Sequence, residues 1–297
     1  MLEIKVPATT ANIGPGFDTL GLALNVYNKF YISEIDKGIY IDGCDDKYRN
    51  ENNLIYTSMK YFYNKINPPK IPTGIKIKIE SNIPLSRGLG SSATCIVAGV
   101  VAANILSDSN LNKYELLKIA SEIEDHPDNI APALLGNMVV SLIDDGNIYY
   151  DTIKIPNELS FCCIIPDFEL STSLARSILP NTIYHKDCVF NISHSTLLVS
   201  ALLNKNFDLI KIACKDKIHQ DYRGKLIENY YDIVNMSYDL NCIGVFLSGA
   251  GPTIMSIIKD DDINFIGEMK SFLESLDNRW ILKKLKCDTN GTIVNVI

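Results

Sequence analysis

Residues 84 to 94 run Pro84-Leu85-Ser86-Arg87-Gly88-Leu89-Gly90-Ser91-Ser92-Ala93-Thr94 and open directly onto the apolar stretch 95–106. A glycine-and-serine loop feeding a helix narrows what such a chain can be. The helix N-terminus leaves its first N–H groups unpaired and carries a partial positive charge, so anions collect there. Glycine lets the backbone approach a phosphate chain closely, and serine hydroxyls donate to it or help to hold its metal ion. The segment reads as a polyphosphate cradle with a helix behind it.

Two familiar phosphate motifs do not account for it. No lysine follows the last glycine, and Ser91 and Ser92 stand where a Walker A loop has Gly-Lys. Gly88-x-Gly90-x-x-Ala93 formally fits the dinucleotide fingerprint, but that fingerprint needs a strand running straight into the glycines of a βαβ unit. Here the alternating segment 74–80 is separated from them by the polar connection 81–87. A plain helix cap asks for one serine, not a run. The uncharged stretch 88–107 is near the length of a membrane span, but it begins in a polar loop and is rich in Ala, Gly and Ser, which predicts a helix buried on all sides in a protein core.

A chain of 297 residues is long enough for two cores, so two domains are expected. The balance of 28 Lys+Arg against 35 Asp+Glu, net −7, with no basic run longer than Lys283-Lys284 and Lys286, excludes a nucleic-acid binder. Anionic ligands would then be met by local arginines. The eight cysteines, Cys44, Cys95, Cys162, Cys163, Cys188, Cys214, Cys242 and Cys287, show no C-x-x-C pair and no zinc spacing. They are expected to be buried thiols in a reducing cytoplasm. The start Met1-Leu2-Glu3-Ile4-Lys5 lacks the apolar core of a signal peptide.

Periodicity predicts strands over 2–6 and 74–80, two more within 27–41, and an amphipathic helix over 51–66 through Ile55, Met59, Phe62, Tyr63 and Ile66. Asn112-x-x-Glu115 has the form of a capping box opening a helix through Leu116, Leu117, Ala120 and Ile123. Strands are expected over 137–143 and 148–155, joined by a turn at Asp144-Asp145-Gly146-Asn147, with a domain boundary at Pro156-Asn157. Beyond it the pattern gives strands at 161–165, 243–247 and 253–258, helices near 173–179, 187–204, 207–214, 225–237 and 262–276, and two closing strands. The fold class is α+β in two lobes, 1–155 and 156–297, with a cleft between them.

Polar clusters interrupt this apolar pattern at four places. They are Pro7-Ala8-Thr9-Thr10-Ala11-Asn12 running into Gly14-Pro15-Gly16-Phe17-Asp18, the loop at 84–94, Glu124-Asp125-His126-Pro127-Asp128-Asn129, and Ser248-Gly249-Ala250-Gly251-Pro252. In this order and spacing they resemble the GHMP kinase superfamily over essentially the whole chain. Ser171-Thr172-Ser173-Leu174-Ala175-Arg176 and His219-x-x-x-Arg223 carry the resemblance on to its homoserine kinase branch. The resemblance implies an N-terminal lobe like ribosomal protein S5 domain 2, a ferredoxin-like C-terminal lobe and a homodimer. It implies transfer of the γ-phosphate of MgATP to the side-chain hydroxyl of L-homoserine, giving O-phospho-L-homoserine and ADP in threonine biosynthesis.

By that resemblance the loop 84–94 wraps the triphosphate, Ser92 and Glu124 hold Mg²⁺, and Asn53 falls in the segment that meets the adenine. Asn53 also reads as a helix start. Arg176 and Arg223 take the family positions for the acceptor carboxylate, a task that suits the bidentate guanidinium. Asp128 and Asp18 are the candidates for its ammonium, while Asn12 and Asn129 orient its hydroxyl. Thr172 and His126 belong to the same acceptor set, and His126 and His219 read equally as packing histidines. Relatives acting on other alcohols place an aspartate where this chain has Asn129, and an amide is no base near neutral pH. Catalysis is therefore expected to rest on positioning and electrostatic stabilisation. The alternatives are a sister kinase for mevalonate or shikimate, which would lack the arginine pair, and a non-enzymatic sensor, which would lose Ser92, Glu124 or the loop glycines.

Overall fold

The computed structural model describes residues 1–124 and 126–297; Asp125, within the block 124–129, lies outside the described residues. The first half forms β1 (Leu2–Ala11), β2 (Leu20–Ile35), β3 (Gly38–Asp42), α1 (Leu54–Ile66), β4 (Gly74–Glu80), α2 (Ser91–Leu106), α3 (Lys113–Glu124), α4 (Pro127–Leu135), β5 (Met138–Asp144) and β6 (Asn147–Ile153). The second forms β7 (Leu159–Pro166), α5 (Thr172–Ser177), α6 (His185–Leu203), α7 (Ile210–Ala213), α8 (Gln220–Gly224), α9 (Tyr230–Asp239), β8 (Gly244–Leu247), β9 (Ile254–Lys259), α10 (Asn264–Glu274), β10 (Trp280–Leu285) and β11 (Ile293–Val296).

Local signals account for many of these boundaries. Asn112 Oδ1 accepts from the N–H groups of Tyr114 and Glu115, and Glu115 Oε2 reaches back to the Asn112 N–H, which is the capping box that opens α3. Asp145 and Gly146 at φ 51° and 71° close the β5–β6 hairpin. Three expectations are corrected. The strand expected over 2–6 runs on through residues 7–11 as the second half of β1, whose pairing with β2 shifts register between Pro7 and Ala8. Such a break accommodates a proline that cannot donate to the ladder. The strand expected from residue 27 begins at Leu20. The helix expected over 225–237 begins only at Tyr230 as α9, after the short α8 and a turn over 225–229 that ends at Asn229 in the left-handed region at φ 58°.

Seven strands make the first sheet, in the order β11-β1-β2-β4-β3, with β5 pairing β2 and β6 pairing β5. Four antiparallel strands, β10-β7-β9-β8, make the second. Helix α2 is buried on all sides, as its lack of charge predicts: Ile96, Val97, Ala98, Val100, Ala102 and Ala103 are all inaccessible to solvent or nearly so. Among the described residues no helix is long and apolar enough to cross a membrane. Strand β7 is buried along its whole length. Phe161, Cys163 and Ile165 face a core shared with Ile13, Leu20, Leu22 and Leu89 of the first half, while Cys162 and Ile164 face a separate core under α9 and α10.

The boundary expected near residue 155 falls in the connection from β6 to β7, and β11 then returns to pair antiparallel with β1, Leu2 opposite Val296. That return covers an edge which would otherwise present unpaired backbone. All eight cysteines are free; Cys162, Cys163, Cys214 and Cys242 are buried as expected, whereas Cys44, Cys95, Cys188 and Cys287 are only partly so.

Close approach of α1 to α2 depends on Gly99. A Cβ there would lie 2.4 Å from the Ile55 carbonyl oxygen and 2.8 Å from Ser58 Cβ. Gly99→Ala is therefore expected to destabilise the fold by roughly 1–3 kcal/mol through overpacking, despite a gain of about 1 kcal/mol in helix propensity. Urea denaturation checks this, and an unchanged or raised midpoint contradicts it.

Candidate active site

The connection that looks loose in sequence is tied down by one buried amide. Asn28 Oδ1 accepts from the N–H groups of Asn82 and Ile83 and lies 3.2 Å from Ser81 Oγ, while its Nδ2 donates to Thr94 Oγ1 inside α2. Ile83 and Leu89 plug the loop into the shared core. Gly88 and Gly90 take φ of 74° and 67°, and a Cβ on either would strike what lies beneath: the Ser248 carbonyl oxygen at 2.3 Å and Thr9 Oγ1 at 1.9 Å. Glycine is thus required at both positions for the loop to lie where it does.

Beneath the loop the four polar clusters meet. Ser248 Oγ donates to the Gly88 carbonyl at 2.6 Å and lies 2.7 Å from Thr10 Oγ1, and the Gly249 N–H donates to the Ala11 carbonyl. The result is a cleft of about 170 Å³ whose walls include Asn12, Asp18, residues 86–93, Glu124, His126, Asp128, Asn129, Thr172, Arg176 and Arg223. A second chamber of about 380 Å³ shares Ser86, Ser91 and Ser92 with it and is walled by Cys44, Tyr48, Asn53, Leu54, Ile79, Leu85 and Cys95. The loop therefore divides a polar, charged cleft from a more apolar chamber.

Several expected residues have other duties. Pro84 and Thr94 line neither cavity. Arg87 is spent as an anchor, its guanidinium donating to the carbonyls of Leu85, Pro166 and Asp167 and pairing with Glu169. Asn53 walls the chamber, but its amide caps α1, accepting from the Ile55 N–H and donating to the Tyr48 carbonyl, so the helix-start reading holds for its side chain. Both ends of the Asn12 amide also make bonds of their own. Its Nδ2 donates to the Gly249 carbonyl and its Oδ1 accepts the Asp18 N–H, so it shapes the loop that presents Asp18 while lining the cleft.

The charged groups face one another across the cleft. Arg176 forms a two-point ion pair with Asp18, at 2.9 and 3.1 Å. Arg223 is buried, donating to the carbonyls of Ala175 and Gly249. Both guanidinium carbons lie over the Phe17 ring, 5.5 and 5.1 Å from its centroid. Burial and the neighbouring Arg176 charge pull the Arg223 pKa down to about 10, still fully cationic at neutral pH. Asp216 builds the ledge on which Arg223 sits, its carboxylate accepting the N–H groups of Ile218, His219 and Gln220 at the start of α8. His219 is buried against Phe17 with Nε2 on the Gly14 carbonyl, and burial holds its pKa below the usual imidazole value. It is a packing histidine. His126 lines the cleft with Nδ1 on the Glu124 carbonyl, and Thr172 opens α5 at its rim. Phe17, Thr9, Asn28 and Asp216 were not singled out by the sequence, although Thr9 and Phe17 sit inside a motif that was.

The donor set at the head of α2 suits a hard cation. Ser92 Oγ lies 3.1 Å from Glu124 Oε2, and the Ser91 hydroxyl is buried with no hydrogen-bond partner among the described residues. Mg²⁺ is commonly held by one or two protein oxygens plus phosphates, and these residues fit that pattern.

The GHMP kinases N terminal domain matches residues 53–137, and the GHMP kinases C terminal domain matches residues 198–274. The chain is 55% identical over 295 residues to a homoserine kinase of Clostridium botulinum, with 99% of each covered, and 46% identical over 300 residues to one of Clostridium beijerinckii. The crystal structure of homoserine kinase from Cytophaga hutchinsonii superimposes with a TM-score of 0.89 at 30% identity, covering 99% of this chain and 97% of that one. The chain belongs to the homoserine kinase family of the GHMP kinases.

In this family member Asp128 is a strongly perturbed carboxyl of the cleft. It sits in the first turn of α4, 3% exposed, and its carboxylate accepts from Asn129 Nδ2 at 3.3 Å. Burial, and then the Asp18 charge, push its pKa up to about 7. From the ordinary aspartate value of about 3.9 up to that value the folded chain holds a proton that the unfolded chain has released. Stability of the ligand-free protein therefore falls as pH rises through this window. Asp128→Asn, which removes the charge and keeps the shape, is expected to raise Tm at pH 8 and to lose this advantage progressively down to pH 5. Calorimetry across the range checks it, and a gap independent of pH rules it out.

Proposed function

We propose that the protein transfers the γ-phosphate of ATP to the side-chain hydroxyl of L-homoserine through the cleft at residues 86–93, 128–129, 176 and 223. One observation carries the reading. Two guanidiniums and a buried carboxyl with no cationic hydrogen-bond partner among the described residues share a cleft with a glycine-serine helix N-terminus. The α2 N–H groups and the Ser91 hydroxyl bind the phosphates, and the chamber walled by Tyr48, Leu54 and Ile79 takes the base. Ser92 and Glu124 hold Mg²⁺, which supplies charge neutralisation on the transferring phosphoryl group.

The acceptor carboxylate lies against Arg176 and Arg223, and its ammonium goes to Asp128. Asp18 is already paired with Arg176, which leaves Asp128 as the carboxyl with most to gain from a cation. Asn129, with its Oδ1 held by Thr9, presents its NH₂ group and cannot act as a base. Positioning does the catalytic work, and the hydroxyl proton leaves to phosphate oxygen or solvent. The proposal extends to residues 1–155 as the nucleotide side, residues 156–297 as the source of both arginines, the cytoplasm as the location and a homodimer as the assembly. Light scattering on the eluted protein tests the last.

The deciding experiment is ADP release with MgATP against L-homoserine, mevalonate and shikimate at matched concentrations. Turnover is expected with L-homoserine alone. Arg176→Ala is expected to raise KM for L-homoserine by about 10- to 100-fold, the worth of a charge-assisted contact, while KM for ATP stays put. Turnover with another alcohol discards the arginine argument, and ATP binding with no turnover favours a sensor.

A pH profile separates an ammonium partner from a base. If Asp128 must be ionised to receive the ammonium, kcat/KM for L-homoserine rises with pH through about 7, because that ratio reports the free enzyme. Within the ternary complex the ammonium keeps Asp128 ionised, so kcat is expected to stay flat over the same range. A carboxyl-like step in kcat that vanishes in Asp128→Asn but persists in Asp18→Asn would instead make Asp128 the base.

A further inference from the structure

We propose that Thr9 is the positioning residue that sets the Asn129 amide for phosphoryl transfer, by tying it to the phosphate loop. This rests on the kinase reading above and goes on to name a residue that never touches substrate. Thr9 is fully buried in β1 and bonds to two other segments, the loop and the start of α4. Its N–H donates to the Leu89 carbonyl at 3.2 Å, and its hydroxyl donates to Asn129 Oδ1 at 2.7 Å. The group between them is Gly90, where a Cβ would lie 1.9 Å from Thr9 Oγ1 and 3.2 Å from Asn129 Oδ1. The glycine that caps α2 thus leaves the space in which the Thr9 to Asn129 bond is made.

An amide has two unlike ends, and which one faces a reacting oxygen decides whether it donates or accepts. Thr9 takes the carbonyl end, and the NH₂ end then points to Asp128 Oδ1 at 3.3 Å and to the cleft that Asn129 lines. Turned over, the amide would set its carbonyl against the Asp128 carboxylate, and the Thr9 hydroxyl would have to accept from it. Thr9 is β-branched, so its χ1 is restricted and its hydroxyl is held in place. The donor that meets the acceptor oxygen or the phosphoryl group is accordingly fixed in register with the loop that holds the phosphates. Loss of the hydroxyl frees Asn129 without altering either the arginines or the base chamber, so it should act on kcat and spare both KM values.

The test is steady-state kinetics with MgATP and L-homoserine on the intact chain, for wild type, Thr9→Val, Thr9→Ser, Asn129→Ala and the double variant Thr9→Val with Asn129→Ala. Thr9→Val is expected to lower kcat by about 10²-fold with both KM values within about 3-fold, the signature of misplacement and not of lost binding. Thr9→Ser, which keeps the hydroxyl, is expected to stay near wild type. The double variant is expected to be no slower than Asn129→Ala alone, since one residue acts through the other. Wild-type kcat in Thr9→Val, or losses that multiply in the double variant, overturn the proposal. If Thr9→Val does not fold by circular dichroism, Thr9→Ser against Thr9→Ala makes the same comparison with the methyl removed from both. Wild type inactive on L-homoserine defeats the kinase reading itself, an outcome distinct from an active wild type matched by Thr9→Val.

Discussion

The site depends on the docking of one tight loop upon another. Gly88 is held by its own carbonyl on the Ser248 hydroxyl, and Gly249 by its N–H on the Ala11 carbonyl, all of it buried or nearly so. Both loops bring glycines because a side chain on Gly88 would collide with the partner backbone, with the Gly251 carbonyl oxygen at 2.8 Å as well as that of Ser248. Phosphoryl transfer asks little covalent chemistry of a protein and much geometric order. Here the order comes from backbone contacts between segments about 160 residues apart in sequence.

Packing reinforces that contact. The lobes do not meet as two finished domains, because Ile13, Leu20, Leu22 and Leu89 on one side and Phe161, Cys163, Leu198 and Phe246 on the other form one core. β11 then closes the first sheet with the last residues of the chain. Rigidity at the cleft floor follows from close-packed surroundings, since a packed interior transmits displacement instead of absorbing it.

Charge is arranged with the same economy. Two arginines in one small cleft repel, and the structure offsets this with the Asp18 pair, with carbonyls on Arg223 and with the Phe17 ring under both. What is left over is Asp128, a buried carboxyl that has no cationic hydrogen-bond partner among the described residues. An ammonium bound there, as proposed, would relieve a cost that folding had already imposed, which is how a strained site acquires affinity for one class of ligand.

The sequence by itself determined the local elements and the family. The run 84–94 with an uncharged helix behind it reads as a phosphate cradle, the alternation at 74–80 and the capping box at Asn112 meant a strand and a helix start, and the arginines match by resemblance the family's positions for an acceptor carboxylate. These signals are legible because they are local: one turn, one period, one side-chain type. Only the tertiary structure decided which polar side chains are free to act. Arg87 and Asn53 carry the right groups, but the Arg87 guanidinium is tied to carbonyls far away in the chain and the Asn53 amide to the backbone at the start of α1. Thr9, Phe17 and Asn28 became functional candidates only when folding set them against Asn129, the two arginines and the loop. A hydrogen bond has a limited number of places to go, and where each goes is settled by contacts between distant segments that no local pattern encodes.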